Sequence, residues 1–511
     1  MLDERAAPLL RRLMRWLEPL KACFGHRAQR VSLGQYLNGL LSDSPRKSMQ
    51  AMRARVTDPV AYHTFQHFIT EAPWDPQRLW RAWLTQVPER RGVLIVDDTG
   101  FPKKGTHSVG VARQYSGTLG KIGNCQVAVT ATLWTGARAW LIGAALSLPK
   151  EWFTKHAVAR RAQARIPTTT VFEKKWQLAL RLLRRALAAG LKVTAVVADT
   201  GYGDVTVFRT ALHRLKLAYA LGVSSTLTVF RGTPRLTPPP PPTGRRGRRP
   251  IRPTLAGKAT PIKVRTLAAT LPAAAWRRIT WRNGDNLPRS ARFAACRVTP
   301  AHAWRHRRLA PDVWLLCERR EAPTPEEKFF LIHLPRRTAL TRLVALAHQR
   351  WAIEQQYRQL KTELGLDHFE GRTSPGWNRH VVLTAVAYAF LQQERIDREP
   401  AVTFETIRAI IQEVFTGLLF AAHPRYVTWL EEARQAAASA PLRSRRRLDF
   451  PLTVSTAALG RSCACLAAEP ALLLDLQPFR PMERPERSPR RHLLGPCGTR
   501  KPPPNHGNVT K

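Results

Sequence analysis

Two short segments of the chain place carboxylates directly after apolar runs. In "VLIVDDTGFPKKG", Asp97 and Asp98 follow the apolar residues 93–96, and in "LKVTAVVADTGYGD" Asp199 follows the run 193–198. An acid in this position either caps the turn or helix that follows or is held rigidly by a buried strand. Rigidly held carboxylates suit Mg²⁺ or Mn²⁺, because these ions prefer oxygen ligands. The second alternative therefore predicts a metal site.

The elements around these acids predict that they meet. Apolar patterns indicate strands at 93–96, 126–134 and 139–148, a helix at 171–189, a strand at 193–198, a helix at 205–215 and a strand at 217–223. This is the order of a ribonuclease H-like fold, in which three antiparallel strands are followed by two strands that are added through helical crossovers. In that order the first and fourth strands are neighbours, which brings Asp199 close to Asp97 and Asp98. Successive strand residues face opposite ways, so only one of Asp97 and Asp98 can face the metals.

A helix at 349–372, "QRWAIEQQYRQLKTELGLDHFEGR", offers a third acid. One helix face carries residues at offsets of three and four, namely Arg350, Glu354, Tyr357, Arg358 and Lys361. A lone acid on a basic face is typical of a salt bridge within the helix. Beside the two strand-end aspartates, Glu354 is also a candidate third ligand. Carboxylates that hold two metal ions about 4 Å apart suit in-line phosphodiester displacement.

The chain divides by composition into five parts. They are a helical domain at 1–85, the first part of the α/β core at 86–230, a Pro/Arg linker and β-rich insertion at 231–337, a helical completion of the core at 338–435, and a basic tail at 436–511. The first part contains the basic segment "SPRKSMQAMRARV", which predicts either a DNA-binding domain or a plain packing domain. "PPPPPTGRRGRRP" favours an extended connector. The proline-rich tail lacks periodicity and is expected to be disordered.

The charge of the whole chain points to a polyanionic partner. Lys and Arg number 82 against 36 Asp and Glu in 511 residues, a formal net charge of +46. Such an excess is typical of nucleic-acid-binding proteins. The alternative is a GC-rich gene that favours arginine codons.

Cysteine spacing and apolar runs indicate the compartment. The seven cysteines include no C-x-x-C pair, so neither a zinc ribbon nor a disulfide framework is expected. The acidic start "MLDERAAPLL" does not suit a signal peptide, and no apolar run reaches the roughly 18 residues of a membrane span. We expect a soluble intracellular protein without a membrane partner.

These motifs together resemble a known family. Arg350, Glu354 and Lys361 match the signature Tyr-x2-Arg-x3-Glu-x6-Lys, with Ala347 in the tyrosine position. "ADTGYGD" is similar to a second-acid motif, and "DDTGFPKKG" followed by "RQYSGTLGKIGNCQVAV" is similar to a first-acid region. The chain therefore resembles bacterial insertion-sequence transposases of the DDE (Asp-Asp-Glu) superfamily. The order of the motifs, with a β-rich insertion before the glutamate, makes the resemblance specific over roughly residues 30–400.

The resemblance implies a site and a reaction. Asp97, Asp199 and Glu354 would be both the catalytic residues and the ligands of two Mg²⁺ or Mn²⁺ ions. Asp97 is favoured over Asp98 because related Asp-x-Thr motifs place the ligand two residues before the threonine. Water would free a 3′-hydroxyl at the transposon end, and that hydroxyl would then attack target DNA.

The resemblance also implies partners. Arg350, Tyr357 and Lys361 would bind DNA phosphates. The substrate would be double-stranded DNA, both transposon ends and target, bound by a homodimer or higher oligomer at the nucleoid of a bacterial cytoplasm. Tyr357 lies on the other side of Glu354 from Ala347 and could replace the missing tyrosine.

Two other functions fit the same residues. A ribonuclease H-like metal nuclease would cut DNA without strand transfer. An inactive relative would only bind DNA, although the presence of all three acids favours an enzyme.

Overall fold

The computed structural model describes residues 2–239, 252–257, 259–282, 289–306, 308–320, 326–397 and 402–426, together with 428, 431, 432 and 435. These residues belong to one compact unit, Met1–Ala440. The predicted tail at 436–511 and most of the proline-arginine connector lie outside the described residues.

Helices lie at both ends of this unit and between the strands. In chain order they are α1 (Leu2–Lys21), α2 (Arg27–Leu41), α3 (Met49–Arg53), α4 (Tyr62–Thr70), α5 (Pro76–Gln86), α6 (Val158–Gln163), α7 (Lys175–Ala188), α8 (Thr200–Gly203), α9 (Thr206–Arg214), α10 (Val264–Ala269), α11 (Leu340–Ala347), α12 (Trp351–Arg358), α13 (Ser374–Ile396) and α14 (Phe404–Ala422). A 3₁₀ turn, His348–Arg350, joins α11 to α12, and a π-helical segment, Gln359–Glu363, follows α12.

Strands fill the middle of the unit. They are β1 (Arg91–Pro102), β2 (Ala112–Ser116), β3 (Lys121–Trp134), β4 (Ala139–Ser147), β5 (Lys192–Ala198), β6 (Ala218–Val223), β7 (Thr228–Arg231), β8 (Leu236–Thr237), β9 (Thr254–Leu255), β10 (Ile262–Lys263), β11 (Arg277–Arg282), β12 (Arg289–Pro300), β13 (Val313–Arg320) and β14 (Glu326–His333). The predicted succession of three long strands, helix, strand, helix and strand is present as β1, β3, β4, α7, β5, α9 and β6. The polar strand β2 was not predicted.

The described strands form one mixed sheet of twelve strands and a separate pair, β8–β9. Its order is β10-β7-β12-β13-β14-β6-β5-β1-β3-β2, with β4 also pairing with β3 and β11 with β12. β1, β5 and β6 are parallel, whereas β3 is antiparallel to both β1 and β4. The strands of the β-rich region continue the same sheet, because β14 pairs directly with β6. The fold is therefore a mixed α/β architecture around one large sheet.

Helices cover both faces of the central strands. Leu94 and Val96 of β1 belong to the core that contains α7, whereas Ile95 packs against Ala352 and Ile353 of α12. Burial on both faces explains why the apolar run of β1 is continuous rather than alternating. It also puts α12 over the face of β1 to which Ile95 points.

The N-terminal helices pack against the C-terminal ones. α2, α4 and α5 contact α13, and α1 contacts α14. The Tyr36 hydroxyl of α2 lies 2.8 Å from Nδ1 of His380 in α13, and Arg12 pairs with the buried Glu394. α13 is buried around almost its whole circumference for this reason. Among the described helices, none combines the length and the apolarity that crossing a membrane requires.

The cations of the basic segment "SPRKSMQAMRARV" bond to other groups of the same chain. Each of its four cations has an internal partner: Arg46 with Glu370, Lys47 with the Ser42 carbonyl, Arg53 with the Val60 carbonyl and Arg55 with Asp43. Lys47 is buried. These contacts favour the packing alternative for this segment over a free cationic surface.

Candidate active site

The register of the parallel pair β1–β5 brings two aspartates together. Pairing ends at Val96 and Ala198, and the next residues along the two strands are Asp97 and Asp199. The prediction that the first and fourth long strands are neighbours is confirmed. β5 stops here while β1 continues to Pro102. Among the described residues, β1 therefore has no paired strand on the β5 side beyond Val96.

The prediction that Asp97 and Asp98 end the first strand is wrong. β1 runs on through both residues because it stays paired with β3 as far as Pro102 and Cys125. Within the strand the two side chains engage different elements, as alternation requires. Asp97 accepts a hydrogen bond from Arg350, which directly precedes α12.

Asp98 is engaged on the other side of the sheet. It accepts hydrogen bonds from Nζ of Lys175 at 2.7 Å and from the hydroxyl of Tyr202 at 2.5 Å. Lys175 begins α7 and Tyr202 lies in α8. The carboxylate of Asp98 is therefore paired with a lysine. Neither Lys175 nor Tyr202 was predicted as a site residue, although Tyr202 is part of the motif "ADTGYGD".

The two glycines of that motif explain how Asp199 is held. A Cβ atom on Gly203 would lie 1.7 Å from the carbonyl oxygen of Gly222 in β6, so only glycine lets α8 pack this closely on the strand. A Cβ atom on Gly201 would lie 3.2 Å from Oδ1 of Asp199. The turn after β5 is thus pressed against β6, and Asp199 stays at the sheet edge.

Asp199 carries a buried oxygen that lacks a partner. Its Oδ1 is inaccessible to solvent and has no hydrogen-bond partner in the part of the chain that the structure describes. Burial raises the pKa of this carboxyl group and the charge of Asp98 raises it further, whereas the charge of Arg350 and the backbone N–H groups of Gly201 and Tyr202 oppose the rise. A buried acceptor without a donor is costly, and a bound cation is one way of satisfying it.

Asp97 is in a similar environment. It is 7% exposed, and burial raises its pKa to about 7 despite the opposing charge of Arg350. Asp199 contributes to the rise because two nearby carboxylates repel each other. A buried and a partly buried carboxylate that interact in this way form a site of negative charge. Their hard oxygens have the donor chemistry of a Mg²⁺ or Mn²⁺ ligand set.

Arg350 connects the third acid to this pair. Its guanidinium donates to Oδ2 of Asp97 at 2.5 Å and to Oε1 of Glu354 at 2.7 Å, and it also interacts electrostatically with Asp199. All three predicted acids are therefore gathered around one cation. The Glu354 side chain is 60% exposed and forms an i,i+4 pair, as the salt-bridge alternative predicted.

The carboxylates are not arranged as a complete metal cluster. Among the described residues, no group of three or more His, Cys, Asp or Glu side chains could hold a metal ion. Asp97 is buried and Asp199 has a buried Oδ1, whereas Glu354 is turned toward Arg350 and solvent. In this arrangement the Asp97 carboxylate is paired with Arg350 rather than placed in a metal cluster.

The polar atoms of Tyr357 and Lys361 form hydrogen bonds within the protein. The Tyr357 hydroxyl forms a hydrogen bond with the hydroxyl of Thr130 in β3. Burial, and then the charge of Asp97, raise the pKa of Tyr357 well above its usual value. Nζ of Lys361 donates to the Gly100 carbonyl and to Oγ1 of Thr118, both at 2.9 Å. These bonds fasten the helical segment to β1 and β3.

Ala347, which occupies the tyrosine position of the signature, is part of a hydrophobic core. Ala347 is 4% exposed and packs with Leu343 and Leu346 against strands of the β-rich region. Tyr357, which the sequence offered as a replacement, lies beside Asp97 rather than in that core.

Comparisons with known proteins fit this site. A sequence model of the family described as DDE superfamily endonuclease matches residues 19–288, just over half of the chain. The match includes both aspartates and ends before Glu354. The probable transposase for insertion sequence element IS701 of Microchaete diplosiphon is 30% identical over 197 residues, 37% of this chain and 48% of that protein. The chain thus spans about half the length of the curated relative it matches.

Proposed function

The chain belongs to the DDE superfamily endonucleases, and we propose that it is a DNA transposase that cuts at transposon ends and joins them to target DNA. The observation that carries this proposal is the gathering of Asp97, Asp199 and Glu354 around Arg350. The name of the relative from Microchaete diplosiphon supports transposition over other reactions of the superfamily. The excess of 82 basic over 36 acidic residues supports DNA as the substrate.

A ribonuclease H-like core follows from the same proposal. The strand order β4-β3-β1-β5-β6, three antiparallel strands and then two parallel additions, supports it. We assign this core to residues 86–230 and 338–435, the β-rich insertion to 231–337 and the helical N-terminal part to 1–85. A homodimer or higher oligomer acting on nucleoid DNA in a bacterial cytoplasm would bring two transposon ends together.

The residues of the site have distinct roles in this proposal. Asp97 and Asp199 would hold a divalent metal ion, Mg²⁺ or Mn²⁺, and Glu354, now paired with Arg350, would be the third ligand. Two such ions supply the Lewis-acid stabilisation that in-line phosphodiester displacement needs. Arg350, released by the two acids, then binds the substrate phosphate, for which a guanidinium is well suited. Tyr357 and Lys361 keep the helical segment in place through Thr130, Gly100 and Thr118.

The reaction has two displacements. Water attacks the phosphorus at the transposon end, a bond to the 3′ oxygen breaks, and a 3′-hydroxyl is freed. That hydroxyl attacks a phosphorus of the target, and the target's own 3′ oxygen leaves. The first step hydrolyses a phosphodiester and the second exchanges one phosphodiester for another, so neither requires an oxidant or an energy source.

The experiment that tests the proposal uses Glu354→Gln. Duplex DNA carrying the sequences on both sides of the gene is incubated with the full chain, Mg²⁺ and a plasmid target, and freed 3′ ends and joined products are measured. We expect the variant to lose both products while its unfolding free energy changes by no more than about 1 kcal/mol, because an exposed ion pair contributes only that much.

Glu18→Gln is the matched control. Glu18 is 68% exposed and pairs with Lys21 one helical turn away, so its replacement removes a similar ion pair far along the chain from the acids. The control should cut and join normally. Cutting without joining by the unmodified chain would identify a nuclease without strand transfer, and binding without cutting would identify an inactive relative.

A further inference from the structure

The hairpin formed by β2 and β3 presents an apolar pair to solvent. Tyr115 is 64% exposed and Ile122 is 60% exposed. The two residues are direct partners in the antiparallel register, so their side chains lie together on one face of the hairpin. β2 is the terminal strand of its path in the sheet. An exposed aromatic side chain beside an exposed branched one at a sheet edge offers an apolar contact to a partner.

The charge around this pair indicates an anionic partner. Arg113 is exposed and lies on the same face as Tyr115, two residues along β2, and Lys121 is exposed at the start of β3. The sequence contains no Asp or Glu between residues 99 and 150. An aromatic side chain in a cationic setting without local acids is the composition of a surface that binds single-stranded nucleic acid.

The hairpin is fastened to the candidate active site. Oγ1 of Thr118, in the turn between β2 and β3, donates to the carbonyl of Gly100 and accepts a hydrogen bond from Lys361. Gly100 lies in β1, two residues after Asp98. A Cβ atom on Gly100 would lie 2.1 Å from Oγ of Ser116, so the hairpin is packed closely on β1. The position of the apolar pair relative to the acids is therefore set by a short, bonded path.

We propose that the β2–β3 hairpin is a stacking platform for unpaired DNA next to the phosphate that is cut. Tyr115 stacks on a base, Ile122 supports the same base from the neighbouring strand, and Arg113 contacts an adjacent phosphate. The platform rests on the proposed transposase function and adds to it a preference for DNA whose strands are separated beside the site. A base stacked on an aromatic side chain is bound sequence-independently, because every base has a flat face.

Binding of forked DNA tests the platform. The probes are a fluorescent duplex with a short unpaired arm and a fully paired duplex of the same sequence, titrated with the full chain without divalent cations. We expect the full chain to bind the fork about tenfold more tightly than the paired duplex, as one stacked base predicts. Tyr115→Ala should lose this preference, and Tyr115→Trp should keep it.

Tyr62→Ala provides the control. Tyr62 is the other strongly exposed tyrosine, at 46%, and it lies on α4 in the N-terminal part. Its replacement should leave the preference for the fork unchanged. An unchanged preference in Tyr115→Ala, or none in the unmodified chain, would overturn the platform.

Two further outcomes separate this proposal from its alternatives. Normal cutting by the unmodified chain together with an unchanged preference in Tyr115→Ala would overturn the platform and leave the transposase assignment intact. Failure of the unmodified chain to cut, with a preference that depends on Tyr115, would overturn the transposase and retain the platform. If Tyr115→Ala alters the sedimentation of the protein alone but not DNA binding, the pair is a protein contact and the platform is wrong.

Discussion

At the scale of single residues, Asp199 has the features that mark the candidate site most clearly. Its buried Oδ1 lacks a partner among the described residues, and Asp97 and Asp98 lie close enough to repel its charge. The turn that holds it depends on Gly203, whose missing side chain admits the carbonyl of Gly222. Burial and the neighbouring carboxylate thus disfavour the charged form of this side chain, and Arg350 and the backbone N–H groups of Gly201 and Tyr202 offset this only in part. Such an arrangement is typical of a functional site rather than a stabilising one.

The first prediction at this scale is that Asp199→Asn removes DNA cleavage and retains DNA binding. The amide cannot supply the negative charge that a divalent ion needs, whereas the basic surface is unchanged. Without metal, the variant should be at least as stable as the unmodified chain, since a repelling charge is lost. Cleavage, gel-shift affinity and melting temperature are measured on the same preparation.

Asp98→Asn is the comparison for this experiment. Asp98 is paired with Lys175 and Tyr202, so we expect it to position the strand and to retain part of the cleavage activity. Full activity of Asp199→Asn, or complete loss in Asp98→Asn alone, would contradict the assignment of Asp97 and Asp199.

At the scale of elements, the β-rich insertion reaches the helix that carries Glu354. Glu318 of β13 is fully buried and pairs with Arg320 at 2.6 Å and with His348 at 3.3 Å. His348 begins the 3₁₀ turn that ends at Arg350, and its ring stacks on Trp281 at 4.1 Å. The insertion therefore contacts the turn two residues before Arg350.

The prediction at this scale concerns Glu318→Ala. Removing the acid breaks its bond with Arg320, which keeps Glu326, and its contact with His348, at a cost of about 1–3 kcal/mol of unfolding free energy. Because the turn before α12 is released, we also expect weaker cleavage at a temperature where the variant is fully folded. Denaturant unfolding and cleavage rates measure the two effects.

Glu327→Gln is the matched control, since Glu327 lies on the neighbouring strand β14 and pairs with Arg319 at the surface. It should change stability by no more than about 1 kcal/mol. If Glu318→Ala is destabilised but cuts normally, the insertion supports the fold without positioning the helix.

At the scale of the whole molecule, the N-terminal helices and the C-terminal helices form one core. His380 of α13 is completely enclosed between Tyr36 of α2 and the carbonyl of Gly365. Both bonds are satisfied by the neutral ring: Nε2–H donates to Gly365, and Nδ1 accepts from the Tyr36 hydroxyl. Burial lowers the pKa of His380 to about 4, and the charges of Lys103 and His368 act in the same direction.

This enclosure predicts a pH dependence of stability. Between the folded pKa of about 4 and the unfolded value of about 6.5, the unfolded chain binds more protons. The contribution of His380 to the unfolding free energy is therefore fully present above pH 6.5. It falls by on the order of 3 kcal/mol as the pH is lowered to about 4. His380→Gln should flatten that part of the curve, as measured by urea unfolding at several pH values.

Tyr36→Phe separates the ring's charge from its hydrogen bond. It removes one donor to neutral His380 and should cost about 1 kcal/mol at every pH in this range. A stability curve of His380→Gln that is as steep as that of the unmodified chain would assign the pH dependence to other groups.

The sequence alone determined much of this protein. Continuous apolar runs predict strands because a strand covered on both faces must be apolar at every position, and β1, β5 and β6 follow that pattern. The acids that follow the runs in β1 and β5 were recognisable as a pair because parallel neighbours end at one edge of a sheet. The basic composition predicted a polyanionic partner without any knowledge of the fold.

Only the tertiary structure decided how the side chains are used. β1 continues past Asp98 because it stays paired with β3 after its pairing with β5 has ended. The residues of β1 alone do not show this, since a neighbouring strand sets the length. Arg350 donates hydrogen bonds both to Asp97, which is 253 positions away in the sequence, and to Glu354, which is one helical turn away. Tyr357 and Lys361 form hydrogen bonds within the protein, which the sequence did not predict. Helical spacing shows which residues share a face of the helix, whereas the packing of distant segments decides what that face contacts.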